Sequence, residues 1–165
     1  MNRPGNFAKI LDRDALIREV ENAKQQGSKI VLANGCFDLI HVGHIRYLAA
    51  AKDLGDVLVV GVNSDKQAKA LKGEGRPFMP EGERAEIIAA LRPVDMVTVF
   101  EEPNVEALIR AIKPHVHAKG TDYTVDNVPE RAVVMECGGV VVIVGDPKDH
   151  SSTELIGAVS QKEQT

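Results

Sequence analysis

Two histidines, His41 and His44, lie three residues apart in the stretch NGCFDLIHVGH, directly after an apolar run. Such a pair can pack in a core, bind a metal ion together with Cys36, or bind an anion. The metal site would lack a fourth ligand and matches no recognisable zinc spacing. An anion needs only the N–H groups and positive end of a helix that begins near His44, with both imidazoles as further donors. The sequence therefore favours an anion site, which Gly35 and Gly43 would let the backbone approach closely.

Three other segments carry basic or hydroxyl side chains, the groups that bind phosphate oxygens. They are LKGEGRP with Lys72 and Arg76, AKGTDY with Lys119, Asp122 and Tyr123, and HSSTELI with Ser151, Ser152 and Thr153. Each alone could be an ordinary surface turn, and a single hydroxyl would suffice to cap the last helix. Each segment follows a predicted strand, however, as the two histidines do. Together they indicate one polyphosphate site.

The elements that position these segments alternate between short apolar strands and amphipathic helices. Strands are predicted at residues 29–34, 56–63, 94–100, 115–118 and 140–145, and helices at residues 12–27, 44–55, 81–93, 104–114, 130–139 and 152–161. Uninterrupted Val and Ile runs between helices are typical of strands buried on both faces. We therefore predict an α/β fold, a Rossmann-like doubly wound sheet of about five parallel strands flanked by helices. In such a sheet the ligand binds beyond the carboxyl ends of the strands.

The composition limits the class of protein. A chain of 165 residues fits one domain, which we expect to span residues 1–165. The N-terminal helix within residues 1–28 leads into this domain. A net charge of −4 gives no basic surface for nucleic acid, and the apolar runs are too short to cross a membrane. The N-terminus lacks the apolar region of a secretory signal, and Cys36 and Cys137 make no disulfide framework. We expect a reduced, cytoplasmic protein that binds neither nucleic acid nor membranes.

The motifs resemble those of a known family. The sequence contains neither the GxxxxGK(S/T) P-loop nor GxGxxG, but GCFDLIHVGH resembles the GxFDxxHxGH signature of the cytidylyltransferase-like nucleotidyltransferases, which share the HxGH nucleotidyltransferase fold. The SST before the last helix resembles their phosphate-binding serine/threonine motif. Within that superfamily, NGCFDLIHVGH, VNSD, LKGEGRP, VDMV, KGTDY and GGVVVIV resemble the ADP-heptose synthases in order and spacing, over roughly residues 9–157. In many bacteria this domain is the C-terminal half of an enzyme whose N-terminal half is a sugar kinase. The sequence contains no kinase half, so we expect the stand-alone form.

The resemblance implies an adenylyltransferase that moves AMP from ATP to D-glycero-β-D-manno-heptose 1-phosphate and releases pyrophosphate. ATP would carry Mg²⁺, the protein itself would bind no metal, and a homodimer is expected by analogy. The implied catalytic residues are His41, His44 and Lys72. The implied nucleotide-binding residues are Asn34, Gly35, Cys36, Phe37, Gly43, Arg92, Ser151, Ser152 and Thr153. The implied acceptor-binding residues are Asp38, Asp65, Lys119 and Asp122, of which Asp38 either contacts the acceptor or orients the site.

The polar segment of residues 64–79 is long for a connection in a compact α/β domain. It contains Lys72, followed by Gly73 and Gly75 as hinges. We predict a flap that is mobile in the free protein and that ATP orders, with Lys72 closing over the β- and γ-phosphates.

One segment departs from the family pattern. Relatives that use CTP carry a stretch like RTEGIS before the final helix, whereas this sequence reads DPKDHSS, with Asp146 in place of the arginine. The difference favours ATP over CTP as the nucleotide. The heptose enzymes' usual segment also differs from DPKDHSS, which leaves the role of residues 146–150 open.

Three alternatives remain open from the sequence. The first is a related nucleotidyltransferase with another acceptor, such as glycerol 3-phosphate with CTP, or a flavin or pantetheine phosphate with ATP. The second is a non-catalytic nucleotide-sensing module, against which the complete set of histidines, Lys72 and hydroxyls argues. The third is a structural metal protein that uses Cys36, His41 and His44.

Overall fold

The structure, a computed structural model, describes residues 7–147 and 152–162. In these ranges the strands are β1 (Lys9–Ile10), β2 (Ile30–Gly35), β3 (Val57–Asn63), β4 (Met96–Phe100), β5 (Val116–Lys119) and β6 (Val140–Ile143). The helices are α1 (Arg13–Gln25), α2 (Val42–Lys52), α3 (Asp65–Lys72), α4 (Glu81–Ala89), α5 (Glu106–Ile112), α6 (Arg131–Glu136) and α7 (Ser152–Lys162), with a 3₁₀ turn at Val125–Asn127. Every predicted strand and helix is present, with bounds that shift by at most four residues.

Within the described ranges, the sheet contains six parallel strands in the order β1-β4-β3-β2-β5-β6. From the central strand β2 the chain proceeds through β3 and β4 on one side, and then crosses to β5 and β6 on the other. This order confirms the predicted doubly wound sheet. Beyond the five predicted strands, the two-residue β1 pairs with Met96 and Val97 and is too short to leave a pattern in the sequence. The chain adds strands on one side of β2 first and on the other side afterwards. This change of side leaves a crevice between the carboxyl ends of β2 and β5.

Helices cover both faces of the sheet, because successive residues of the central strands are buried on opposite sides. The residues buried on the side of α2 and α4 include Val31, Ala33, Leu48, Val60 and Ile88. Those buried on the side of α1 and α5 include Leu16, Ile30, Leu32, Val59 and Ile109. This double burial accounts for the uninterrupted apolar runs, and it gives the loops that follow the strands a rigid base.

The polar segment of residues 64–79 differs from the single flap predicted for it, because its first half is helix α3. Ser64 caps this helix by accepting a hydrogen bond from the N–H of Gln67 at 3.3 Å, and the Gln67 side chain donates to the carbonyl of Glu101 at 2.9 Å. The residues of α3 that are buried are Gln67 and Ala68, so the sequence shows no apolar periodicity there. The helix ends at Gly73, whose φ of 96° strongly favours glycine.

None of the helices in the described part of the chain is long and apolar enough to cross a membrane. The 13 residues of α1 fall short of the roughly 20 apolar residues that a membrane span requires.

Candidate active site

A cleft of about 680 Å³ opens at the carboxyl ends of β2, β3 and β5, where the sequence places the ligand. The predicted site residues that line it are Asn34, Gly35, Cys36, Phe37, Asp38, His41, Gly43, His44, Lys72, Lys119 and Asp122. They come from separate segments that the parallel sheet brings to one edge. The cleft is within the size range of small-ligand sites.

The two histidines form the N-terminal cap of α2. His41 is the N-cap residue, and its Nδ1 accepts a hydrogen bond from the N–H of Gly43 at 3.2 Å. The N–H of His41 in turn donates to Nδ1 of His44 at 3.2 Å, and the two ring centres lie 3.9 Å apart. Since both Nδ1 atoms accept hydrogen bonds, Nε2 carries the proton of each neutral ring. The pair therefore places two Nε2–H donors beside the positive end of a helix.

The charge state of His44 depends on its surroundings. Burial lowers its pKa to about 4, and the neighbouring His41 and Lys72 add to the effect. The ring is therefore neutral at pH 7 in the ligand-free protein. A bound polyanion would favour the protonated form and raise the pKa again.

Asp38 holds the segment that follows α3. Its Oδ2 accepts a hydrogen bond from Nε of Arg76 at 2.6 Å, and its Oδ1 accepts from the N–H groups of Phe78 at 2.8 Å and Met79 at 3.1 Å. Burial alone would raise the pKa of this carboxyl group, but these hydrogen bonds and the Arg76 charge outweigh it and hold the pKa below its usual value. Of the two roles expected for Asp38, the contacts support orienting the site.

Asp38→Asn should lower the free energy of unfolding by about 3 kcal/mol, because it leaves the Arg76 guanidinium without its carboxylate in a nearly buried place. Asparagine keeps the shape and one acceptor oxygen for the N–H groups of Phe78 and Met79, so the loss reports the charge together with the hydrogen bond from Arg76. Urea unfolding at pH 7 measures the difference. Because the folded-state pKa is depressed, the contribution of Asp38 is complete above the ordinary carboxyl pKa of about 4 and disappears as the pH falls through the lower folded-state value.

The matched control is Asp126→Asn, since Asp126 is 90% exposed and pairs with Arg131 at 3.2 Å on the surface. Removing this surface pair should change the free energy of unfolding by less than about 1 kcal/mol. Equal effects of the two substitutions would show that Asp38 does not hold the segment.

Lys72 lies at the end of α3, is exposed and lines the cleft. The φ angles of 96° at Gly73 and 77° at Gly75 lie in the region that favours glycine. Residues 69–75 are all exposed, whereas the segments on either side are held by the Ser64 cap and by Asp38. The flap therefore stays a prediction, and the exposed stretch of residues 69–75 is the part of the segment to which it now applies.

Arg84, which was not predicted as a site residue, is completely buried beneath the site. Its guanidinium donates to the carbonyls of Cys36 at 2.6 Å, Asn63 at 2.8 Å and Met79 at 2.9 Å. It thereby joins the ends of β2 and β3 to the segment after α3. The sequence does contain one indication of this role. Arg84 lies one turn before Ile88 on the apolar face of α4, and an arginine buried there needs several hydrogen-bond acceptors.

Two predicted site residues lie away from the cleft. Asp65, expected to bind the acceptor, begins α3 and accepts a hydrogen bond from Nη2 of Arg84 at 2.7 Å, so its carboxylate already serves the arginine. Arg92, expected to bind the nucleotide, is exposed in the turn between α4 and β4. This turn meets the amino end of β4, and the amino ends of parallel strands lie at the opposite edge of the sheet from the cleft.

The predicted hydroxyl cluster is described only in part. Ser151 lies outside the described residues, as do Lys148 and His150. Ser152 begins α7, so a helix N-terminus follows β6 as predicted, but the side chains of Ser152 and Thr153 are likewise outside the description.

The loop after β6 carries the sequence departure at Asp146. Its carboxylate accepts a hydrogen bond from Nη1 of Arg46 at 2.6 Å, and its carbonyl accepts one from the Thr121 hydroxyl at 2.7 Å. Asp146 and Thr121 both line the cleft. These bonds fix the loop between α2 and the segment that follows β5.

The metal interpretation of the histidines finds no support in their surroundings. Across residues 7–147 and 152–162, no group of three or more His, Cys, Asp or Glu side chains could hold a metal ion. Cys36 and Cys137 are free thiols. Burial raises the pKa of the Cys36 thiol more than the nearby cations Lys72 and Arg84 lower it, so the thiol stays protonated at neutral pH.

The chain as a whole is similar to known proteins. Residues 32–158 match the family model described as cytidylyltransferase-like. The bifunctional protein HldE of Pelobacter propionicus is 47% identical over 155 residues, which cover 94% of this chain and 32% of that protein. HldE of Geobacter metallireducens is 47% identical over 152 residues, covering 92% of this chain and 31% of that protein. The chain thus spans about a third of the length of the curated relatives it matches.

A solved structure is also similar. The lipopolysaccharide core biosynthesis protein from Thermoplasma volcanium is 30% identical, with a TM-score of 0.65, over 74% of this chain and all of that one.

Proposed function

Because the chain belongs to the cytidylyltransferase-like family, we propose that it is an adenylyltransferase that moves AMP from ATP to D-glycero-β-D-manno-heptose 1-phosphate. The products are ADP-heptose, a precursor of lipopolysaccharide or surface glycans, and pyrophosphate. The observation that carries the proposal is the pair of Nε2–H donors at the start of α2, in a cleft that Lys72 also lines. The names of the relatives, HldE and a lipopolysaccharide core biosynthesis protein, support the choice of acceptor.

The reaction needs alignment and charge stabilisation more than a base. The acceptor's phosphate has a second pKa of about 6, so its oxygen is already an anion at neutral pH. This oxygen forms a bond to the α-phosphorus of ATP as the bond to pyrophosphate breaks. Negative charge grows on the α-phosphate and on the leaving group, where His41, His44 and the N–H groups of α2 donate hydrogen bonds. Lys72 supplies a cation for the β- and γ-phosphates.

Mg²⁺ fits this site as a companion of the triphosphate. The carboxylate nearest to the histidines in sequence, Asp38, is occupied by Arg76 and two backbone N–H groups. Mg²⁺ accepts phosphate oxygens and water as most of its ligands. We therefore propose that ATP and water hold the ion, which would neutralise part of the phosphate charge, while the chain's own residues bind and align.

The test is pyrophosphate release measured for ATP and CTP against four acceptors: the heptose 1-phosphate, glycerol 3-phosphate, flavin mononucleotide and 4′-phosphopantetheine. We expect ATP with the heptose 1-phosphate to give the highest kcat/KM. A higher value for another acceptor would replace the heptose as substrate while keeping the nucleotidyl transfer. A preference for CTP would contradict the nucleotide assignment drawn from Asp146.

A further inference from the structure

The wall of the cleft beside β5 contains a buried ionic cluster that includes two residues without a role in the proposed reaction, Glu130 and His117. Oε1 of Glu130 lies 2.9 Å from Nζ of Lys119 and 2.8 Å from Nε2 of His117. The side chains are 8% exposed at Glu130, 11% at Lys119 and 0% at His117. Lys119 and Glu130 line the cleft, whereas His117 lies behind them. A buried carboxylate at a binding surface calls for a ligand or a structural reason.

The charges of this cluster balance. Burial lowers the pKa of His117 more than Glu130 raises it, so the ring is neutral at pH 7. Burial would raise the pKa of Glu130, but the hydrogen bonds from His117 and Lys119 outweigh it and hold the value at about 2. One carboxylate thus faces one ammonium group. A wall without net positive charge does not attract a phosphate dianion, which Lys72 and the start of α2 attract on the other side.

We infer that the Lys119–Glu130 pair binds hydroxyl groups of the acceptor, and that Glu130 makes the cleft selective for a polyhydroxylated phosphate ester. The inference rests on the proposed function, because it names the acceptor class of the same site. A carboxylate that accepts and an ammonium group that donates, 2.9 Å apart, match neighbouring sugar hydroxyls, each of which can donate and accept. An acceptor without hydroxyls would bury the carboxylate without new hydrogen bonds, which is unfavourable.

The surroundings keep both groups in place. The Lys119 ammonium lies 4.5 Å from the centre of the Tyr123 ring, which attracts the positive charge. His117 fixes the carboxylate from the β5 side. Asn104 lines the same cleft and offers an amide, a further group that suits hydroxyls. Because these side chains are already positioned, little conformational entropy is lost when a ligand binds.

The test compares two ligands of equal ring size by calorimetry, in the presence of Mg²⁺ and a non-hydrolysable ATP analogue. D-mannose 1-phosphate carries ring hydroxyls, whereas cyclohexyl phosphate has none. We expect the wild type to bind mannose 1-phosphate more tightly, and Glu130→Gln to reduce that preference by roughly 10-fold or more, as hydrogen bonds to charged groups imply. The matched control is Glu136→Gln, also in the α6 region, where Glu136 is 61% exposed and pairs with Arg110 at 3.0 Å; it should keep the preference.

A second variant covers the risk that one unpaired charge destabilises the fold. Lys119→Met combined with Glu130→Gln removes both charges and keeps the side-chain volumes, and thermal unfolding checks that each variant is folded. If both variants keep the wild-type preference, or if the wild type binds mannose 1-phosphate no better than cyclohexyl phosphate, the inference is overturned. Binding needs no turnover, so failure of the heptose reaction would overturn the proposed function and still leave this preference measured.

Discussion

Replacing His44 with alanine is expected to lower kcat by about 100-fold or more while the KM for ATP changes little. The reason is that an Nε2–H donor at the start of α2 contributes most when negative charge grows on the α-phosphate and the leaving pyrophosphate. Steady-state kinetics with ATP varied at saturating acceptor separate the two constants. His41→Ala should also lower kcat, although the two decreases need not be equal.

The matched control for this substitution is His115→Ala. His115 is exposed at the amino end of β5, where its Nδ1 accepts a hydrogen bond from the N–H of Ile30 at 2.9 Å, far from the cleft edge. This variant should keep kcat. A His44→Ala protein with normal kcat and a raised KM would show that His44 binds ATP only in the ground state.

Lys72→Ala is expected to lower kcat/KM for ATP by roughly 10- to 100-fold. This factor corresponds to the loss of one hydrogen bond to a charged phosphate. The fold should stay intact, since an exposed lysine contributes little to stability. The same ammonium group should order its segment, so amide hydrogen exchange over residues 69–75 should slow when ATP and Mg²⁺ bind. Exchange over β4 serves as an internal reference that ATP leaves unchanged.

Lys66→Ala is the control variant, because Lys66 is an exposed lysine of the same helix that does not line the cleft. It should keep the kinetics of the wild type. Equal hydrogen exchange over residues 69–75 with and without ATP would show that no flap closes over the nucleotide. Lys72 would then be a solvated surface residue.

The elements that carried a repeating apolar pattern could be predicted from the sequence. The apolar runs that form β2 and β3 are buried on both faces. Uninterrupted apolar runs of this kind indicate a parallel sheet. The histidines were also placed correctly at a helix start, since the helix predicted to begin near His44 begins at Val42, with His41 as its cap. The spacing of elements in the chain was therefore enough to locate the cleft.

The partners of buried charges could not be predicted in this way. Arg84, Asp65 and Glu130 act through contacts between residues far apart in sequence, which periodicity does not encode. Arg92 illustrates the converse. It stands before Pro93 at a position the resemblance associates with the nucleotide, yet the turn that carries it meets the wrong end of β4. Helix α3 escaped prediction because the residues that it buries, Gln67 and Ala68, give no apolar periodicity in the sequence.

The cap of α2 has a consequence for how the free enzyme changes when it takes up its first anion. In the empty cleft, the backbone N–H groups of His41 and Gly43 are engaged by the Nδ1 atoms of the two histidines. A protonated imidazole has two donors and no acceptor, so it cannot keep such a bond. Uptake of a proton by either ring therefore releases a backbone amide at the same moment as it creates a cation. One proton would thus convert the start of α2, whose N–H groups are bonded to the histidines, into a site with a free N–H donor and a positive charge for phosphate.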